Sequence, residues 1–163
     1  MRQICFKEKI SGLSVRCELL QDLAPKSSEF LWKLASARSV FTAVHAIWTG
    51  PELSCPLPAS VLPSELSAQL LPAENATSYP ASGDVVMACV AAGSVKGLPP
   101  GNFFDLGVFY GEGGRLLMPF GWISANVCAR VLEEDLDELK SCMKTIRKNG
   151  ECRLEIAPIE TGK

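Results

Sequence analysis

The chain has 163 residues, 47% of them apolar, and a formal net charge of −2. A chain of this length folds as one domain around a buried core, and its charge balance excludes the broad basic surface with which proteins bind nucleic acids. No apolar run is long enough for a membrane helix, so no membrane partner is expected.

The seven cysteines are an odd number and form no C-x-x-C pair. Most of them occur in apolar strand or helix patterns, where a thiol packs as a small hydrophobic side chain. The first residues do not resemble a signal peptide either. Reduced cysteines in a cytoplasmic protein are therefore expected.

Alternating apolar and polar residues predict a β-hairpin at the start of the chain, formed by residues 4–10 and Leu13–Leu19. A helix is expected next, from Pro25 to about Ala37, because proline suits the first helical turn, where its missing N–H leaves no bond unmade. Residues 39–49 are rich in β-branched and aromatic side chains and predict the following strand.

A long loop is predicted after that strand, from Gly50 to Ser82, because prolines recur in it and only residues 64–70 have the pattern of a helical turn. The later predicted elements are strands at 85–91, 102–110, 116–120 and 123–131, a helix at 133–148 and a strand from Cys152 to Ile156. Many antiparallel strands and two isolated helices predict a mainly β fold, a closed antiparallel β-barrel with two capping α-helices.

Four separated segments resemble the cyclophilin family and occur in the family's order. LLQDLAPKSSEFLWKLA (19–35) is similar to its strand-to-helix passage, VHAI (44–47) to Phe-His-Arg-Val/Ile, GDVVMAC (83–89) to Gly-x-x-x-Met-Ala-Asn, and GNFF (101–104) to Gly-Ser-Gln-Phe-Phe. The resemblance spans most of the chain and implies a single cyclophilin-like domain over residues 1–163.

The departures from the cyclophilin pattern bear on activity. Ala46 stands where cyclophilins carry the catalytic arginine, and Cys89 replaces the asparagine of Met-Ala-Asn. Without a donor that strengthens its bond in the transition state, prolyl isomerisation is not expected. The Trp-x-Gly-Pro-Glu and Pro-Leu-Pro stretches resemble small standalone bacterial cyclophilin-like proteins of unassigned function, which implies a deep pocket and a homo-oligomer.

The candidate site is centred on residues 41–58, which carry the only histidine, His45. Trp48 offers a flat apolar wall, and Glu52 can receive an amine or a hydroxyl group. By the resemblance, Ala88 and Phe104 occupy matching pocket positions. Trp122 is a further candidate for the lining, although Phe104 and both tryptophans equally suit a packed core.

The sequence contains few residues that are suited to catalysis. A Cys55–His45 nucleophilic pair is conceivable, but a core histidine and a packed thiol are favoured. One histidine without paired cysteines predicts no metal site, and no cofactor is expected. The favoured function is binding of a small molecule or short peptide; the alternative is a homo-oligomeric assembly protein in which the apolar residues 53–72 pack on another protomer.

Overall fold

The structure, a computed structural model, describes residues 1–160; residues 161–163 of the expected single domain lie outside them. The strands are β1 (Gln3–Glu8), β2 (Leu13–Leu19), β3 (Val40–His45), β4 (Glu52–Pro58), β5 (Ala76–Thr77), β6 (Asp84–Val90), β7 (Phe103–Phe109), β8 (Leu117–Met118), β9 (Gly121–Trp122), β10 (Ala125–Val131) and β11 (Glu151–Ile159). The helices are α1 (Pro25–Ser36), α2 (Ser64–Ser67) and α3 (Leu136–Asn149).

Eight of these strands form one barrel. Their order is β2-β1-β11-β3-β4-β7-β6-β10, and β10 pairs back onto β2, so that the sheet closes on itself. All the pairings in the barrel are antiparallel. The mainly β fold and the closed antiparallel barrel are therefore confirmed.

The two longer helices cover the barrel. Helix α1 packs on β10 and β11, and α3 packs on β2, β3 and β11. Phe30 of α1 places its ring 4.6 Å from that of Phe104 on β7, and both side chains are buried. Side chains therefore fill the interior beneath α1, and space for a ligand has to lie elsewhere.

Strand β3 is shorter than predicted, because it ends at His45 rather than at residue 49. The chain then turns back at Gly50, whose φ of 88° is a backbone conformation that glycine adopts without strain. The N–H of Ala46 then donates to the Glu52 carbonyl at 2.9 Å. This tight connection places Glu52 opposite Ala46, and it leaves Trp48 in the turn, not in a strand.

The predicted loop from residue 50 onward is wrong for residues 52–58, which form the central strand β4. Prolines suggested a loop, but an antiparallel strand offers alternate N–H groups to its two neighbours. The backbone carbonyl of Glu52 is directed toward β3. Backbone groups alternate in direction along a strand, so those of Pro56 and Pro58 are directed toward β3 as well. The pairing with β3 reaches only Ser54. Both prolines lie beyond the last residue that pairs with β3, so the N–H groups that they lack leave no hydrogen bond between the strands unmade.

The alternative role for residues 53–72 loses much of its premise, because most of their large apolar side chains are buried within this chain. Leu53, Leu57 and Leu66 belong to the core. Only Val61 and Leu70 among the large apolar side chains of that segment are exposed by half or more, at 50% and 61%. The predicted helical turn is confirmed as α2.

The later strands are confirmed with shifted ends, except around residues 116–123. There β8 and β9 form a separate small hairpin with its turn at residues 119–120, and β10 begins only at Ala125. Within residues 1–160 the helices are all too short or too polar to cross a membrane.

Candidate functional site

A cavity of about 550 Å³ lies on the outer face of the barrel, over β4, β6 and β7. Side chains alternate along β4, so that Leu53 points into the core and Ser54 lines the cavity. The lining residues are Val44, His45, Ala46, Ile47, Trp48, Thr49, Glu52, Ser54, Pro56, Val86, Ala88, Asp105, Leu116, Met118, Ile123, Ala125 and Gly150.

Two segments rise over the strands as cavity walls. One is the turn at 46–51, and the other is the stretch 116–123, which contributes Leu116, Met118 and Ile123. The Arg115 N–H donates to the Thr49 carbonyl at 3.1 Å and joins the two segments. Beyond Asp105 the cavity adjoins a second space of about 310 Å³, lined by Phe103, Phe120 and Lys96 among others. The walls are therefore apolar, and the space is elongated.

The floor of the cavity is polar. Glu52 and Ser54 on β4 and Asp105 on β7 all project from the outer face. In the β4–β7 register, Ser54 is opposite Gly107 and Pro56 is opposite Asp105. The Ser54 hydroxyl lies 2.9 Å from Oδ1 and 3.2 Å from Oδ2 of Asp105. Two carboxyl groups thus share one floor with a hydroxyl between them.

Glu52 is almost enclosed, with 6% of its surface exposed. The Thr49 hydroxyl donates to its Oε1 at 2.7 Å. Its Oε2 lies over Gly107, where a Cβ atom would collide with the carboxyl group. Glycine at that position of β7 therefore makes the space that the glutamate side chain occupies.

Both carboxyl groups bind protons more tightly than they would in water. Burial, and then the nearby charge of Asp105, raise the pKa of Glu52 from 4.5 to about 8, against the opposing effect of the Thr49 bond. Burial raises the pKa of Asp105 to about 6, while the Ser54 bond acts to lower it. Within residues 1–160 neither carboxyl group forms an ion pair, and the lining contains no lysine or arginine.

His45 lines the same cavity, but both of its ring nitrogens are engaged. Nδ1 lies 2.9 Å from the Ala46 carbonyl, to which it can only donate, and Nε2 lies 2.5 Å from the Tyr110 hydroxyl. The neutral tautomer assigned by this pattern carries its proton on Nδ1 and accepts from Tyr110 at Nε2. Tyr110 is not part of the cavity lining; it lines a neighbouring depression, to which His45 also contributes.

Cys55 is not placed to act as a nucleophile with His45. Its side chain is 1% exposed in the core, with Sγ 3.7 Å from the Thr42 carbonyl. Burial in the first place raises the pKa of this thiol to about 12. The thiolate, which is the reactive form, is therefore strongly disfavoured. Within residues 1–160 no three potential ligands among histidine, cysteine, aspartate and glutamate cluster as a metal site.

Four of the six predicted site residues line the cavity: His45, Trp48, Glu52 and Ala88. The other two do not. Phe104 faces the core because its neighbour Asp105 faces the cavity and side chains alternate along a strand. Trp122 is outside the lining, in the β8–β9 hairpin, and its ring lies 5.4 Å from that of Tyr79.

The residues that sequence reasoning missed are Thr49, Ser54 and Asp105. Ser54 was hidden by the loop assigned to its segment. Asp105 offered a usable signal, because a single charged residue interrupts the apolar strand FFDLGVF and a glycine follows two positions later. A buried strand tolerates a carboxyl group only where a specific site receives it.

Comparisons with known proteins support the fold. A family described as "Protein of unknown function (DUF3830)" matches residues 8–157. No curated protein matches the sequence. The chain is similar in structure to McbB in complex with tryptophan, at a TM-score of 0.69 and 16% identity, covering 98% of this chain and 46% of that one.

A second similar structure is the Mimivirus cyclophilin, at a TM-score of 0.50 and 9% identity, covering 96% of this chain and 86% of the viral one. Identities this low show the fold alone, and the expected cyclophilin-like barrel is confirmed. The chain spans about half the length of McbB, at 46%.

Proposed function

The chain belongs to the DUF3830 family, whose function is unknown, and we propose its function from the geometry of the cavity itself. The outer cavity binds a small ligand that combines a flat apolar body with a cationic nitrogen. The observation that carries this proposal is a pair of carboxyl groups, Glu52 and Asp105, on the floor of an apolar-walled cavity, where residues 1–160 provide no counter-charge.

The apolar part of the ligand follows from the walls. A cavity of about 550 Å³ falls in the usual range for small-molecule sites, which combine apolar walls with a few convergent polar groups. Trp48, which is 54% exposed, presents its ring at the edge of the cavity, where an aromatic or aliphatic group can pack on it.

The cationic part follows from the floor. The pair holds one proton near neutral pH and therefore carries one negative charge, which no basic side chain of the lining offsets. A ligand ammonium group could displace the remaining proton and donate to both carboxylates, with Ser54 and Thr49 completing their hydrogen bonds. A ligand anion would meet only like charge at this floor.

An indole series tests the proposal, since McbB was solved with tryptophan. Tryptamine, indole and indole-3-acetate carry one ring and differ in charge. A charge-assisted hydrogen bond adds about 1.5–3 kcal/mol, so tryptamine should bind about 10–100 times more tightly than indole in calorimetry. Indole-3-acetate should bind most weakly.

Two isosteric variants locate the interaction. Glu52→Gln and Asp105→Asn should each reduce the preference for tryptamine over indole, whereas Glu65→Gln, on the exposed surface of α2, should not change it. Indole-3-acetate binding as tightly as tryptamine to the unmodified protein would contradict the proposal.

Self-association is a second candidate role, favoured by the exposed apolar side chains near the cavity. Ile47, Trp48, Phe120 and Trp122 are between 46% and 82% exposed. Such a patch suits contact with a second copy of the chain. Light scattering discriminates, because a strict monomer at micromolar concentration would exclude a stable homo-oligomer.

We also propose a cytoplasmic location, which the free thiols of all seven cysteines support.

A further inference from the structure

The same carboxyl pair can act on a ligand that carries no positive charge. We propose that the cavity transfers a proton within a neutral ligand: Asp105 removes a proton from carbon, and Glu52 donates one to an oxygen or nitrogen atom of the same molecule. This inference rests on the proposed function only in requiring the same cavity, and it assigns an activity to it.

The geometry of Glu52 supports a donor role. Among the described residues, Thr49 is the hydrogen-bonding partner of the carboxyl group, and its hydroxyl occupies Oε1. The one fully enclosed side-chain N or O atom without a partner in residues 1–160 is Ser82 Oγ, so Glu52 Oε2, which has no partner there either, is not fully enclosed. A proton on Oε2 therefore has no acceptor among the described residues, and a ligand in the cavity can accept it.

Asp105 has the complementary environment. Both of its oxygens lie within hydrogen-bonding distance of the Ser54 hydroxyl, which stabilises the ionised form. Burial raises the pKa of Glu52 further above its ordinary value than that of Asp105. One apolar cavity thus holds a protonated carboxyl group beside an ionised one, the arrangement of a general acid with a general base.

The step balances without a cofactor. The Asp105 carboxylate takes a proton from a carbon next to a carbonyl or imine group, and the C–H electron pair forms a carbon–carbon double bond. The π pair of the C=O or C=N bond moves to its heteroatom, which takes the Glu52 proton. The product is the enol or enamine isomer. Asp105 is then protonated and Glu52 ionised, and a proton passes between them through solvent to restore the starting state.

Few other polar groups face the pair. From β3, His45 lines the cavity, with Nδ1 against the Ala46 carbonyl and Nε2 against the Tyr110 hydroxyl. The 116–123 wall, β6 and β10 contribute only apolar side chains to the lining. Lys96 lines the adjoining space together with Asp105. Glu52 and Asp105 are thus the two carboxyl groups of the cavity lining.

A neutral aromatic probe, 5-nitrobenzisoxazole, uses both proposed roles. A base removes its C3 proton, the C–H pair forms the nitrile, and the N–O bond breaks with its electron pair going to the oxygen. That oxygen leaves as a phenolate and accepts a hydrogen bond from the protonated carboxyl group as its charge develops. Product absorbance reports kcat/KM. We expect a bell-shaped pH profile whose limbs lie near 6 and 8, the pKa values of Asp105 and Glu52.

Two variants show which carboxyl group produces each limb of the pH profile. Asp105→Asn should lower kcat/KM by about 100-fold or more and abolish the acidic limb, since general-base catalysis contributes about 10²–10⁴-fold. Glu52→Gln should lower it by up to about tenfold and remove the alkaline limb, as expected for the loss of one hydrogen bond to the developing phenolate. Glu65→Gln should match the unmodified protein. Thermal unfolding of each variant verifies that it is folded.

The outcomes separate the two proposals. If tryptamine binds with the predicted preference but the probe reacts equally fast with Asp105→Asn, proton transfer is refuted and amine binding stands. If the probe reacts with the predicted profile but tryptamine binds no better than indole, amine binding is refuted and proton transfer stands.

Discussion

Replacing Glu52 with glutamine should stabilise the protein at alkaline pH and leave its stability unchanged in acid. The folded chain raises the pKa of Glu52 from 4.5 to about 8. Below the lower value the group is protonated in both states. Between the two values the unfolded chain releases the proton and the folded chain keeps it, so the free energy of unfolding falls as pH rises. Above about 8 the loss is complete.

The magnitude follows from the shift. Each pKa unit corresponds to about 1.36 kcal/mol, so a rise from 4.5 to about 8 sets a ceiling of about 5 kcal/mol. Water in the open cavity screens part of the penalty, and about 2–4 kcal/mol is expected above pH 8. For a chain of this size that gain raises Tm by about 5–15 °C. Glutamine keeps the Thr49 hydrogen bond, because its carbonyl oxygen still accepts.

Urea unfolding of Glu52→Gln and of the unmodified protein at pH 5, 7 and 9 measures the difference directly. The gain should increase with pH, and Glu65→Gln should show no such increase. A gain that is equal at pH 5 and pH 9, or absent at pH 9, would refute the assignment of a protonated, buried Glu52.

Three further predictions concern other parts of the site. Gly107→Ala should cost about 1–3 kcal/mol in urea unfolding and abolish tryptamine binding, because the new methyl group collides with the Glu52 carboxyl; unchanged stability would contradict the packing described. Cys55 should react with iodoacetamide far more slowly than the half-buried Cys89 when labelled sites are quantified by mass spectrometry, since its pKa is raised to about 12 and its sulfur is enclosed. A protease-coupled assay with a proline peptide should show no isomerase activity, because Ala46 lines the cavity where a guanidinium is needed; turnover comparable to cyclophilins would overturn this expectation.

Local sequence patterns were sufficient where one element determines its own structure. The hairpin of β1 and β2, the start of α1 at Pro25 and the macrodipole-matched α3 all follow from short-range periodicity and end residues. These local patterns failed where the structure of a residue depended on a strand that is adjacent only in the folded protein. Pro56 and Pro58 indicate a loop by themselves and fit a central strand only because the β3 pairing ends at Ser54.

The sequence alone predicted most strands and helices, the barrel fold and the lining residues His45, Trp48, Glu52 and Ala88, because these depend on periodicity and on motifs within a few residues. Only the tertiary structure decided that the cavity lies outside the barrel and that Asp105, far from Glu52 in the chain, joins it on the floor. Strand pairing between β4 and β7 makes that meeting, and the proton affinity of both carboxyl groups depends on burial, which no local pattern of residues encodes.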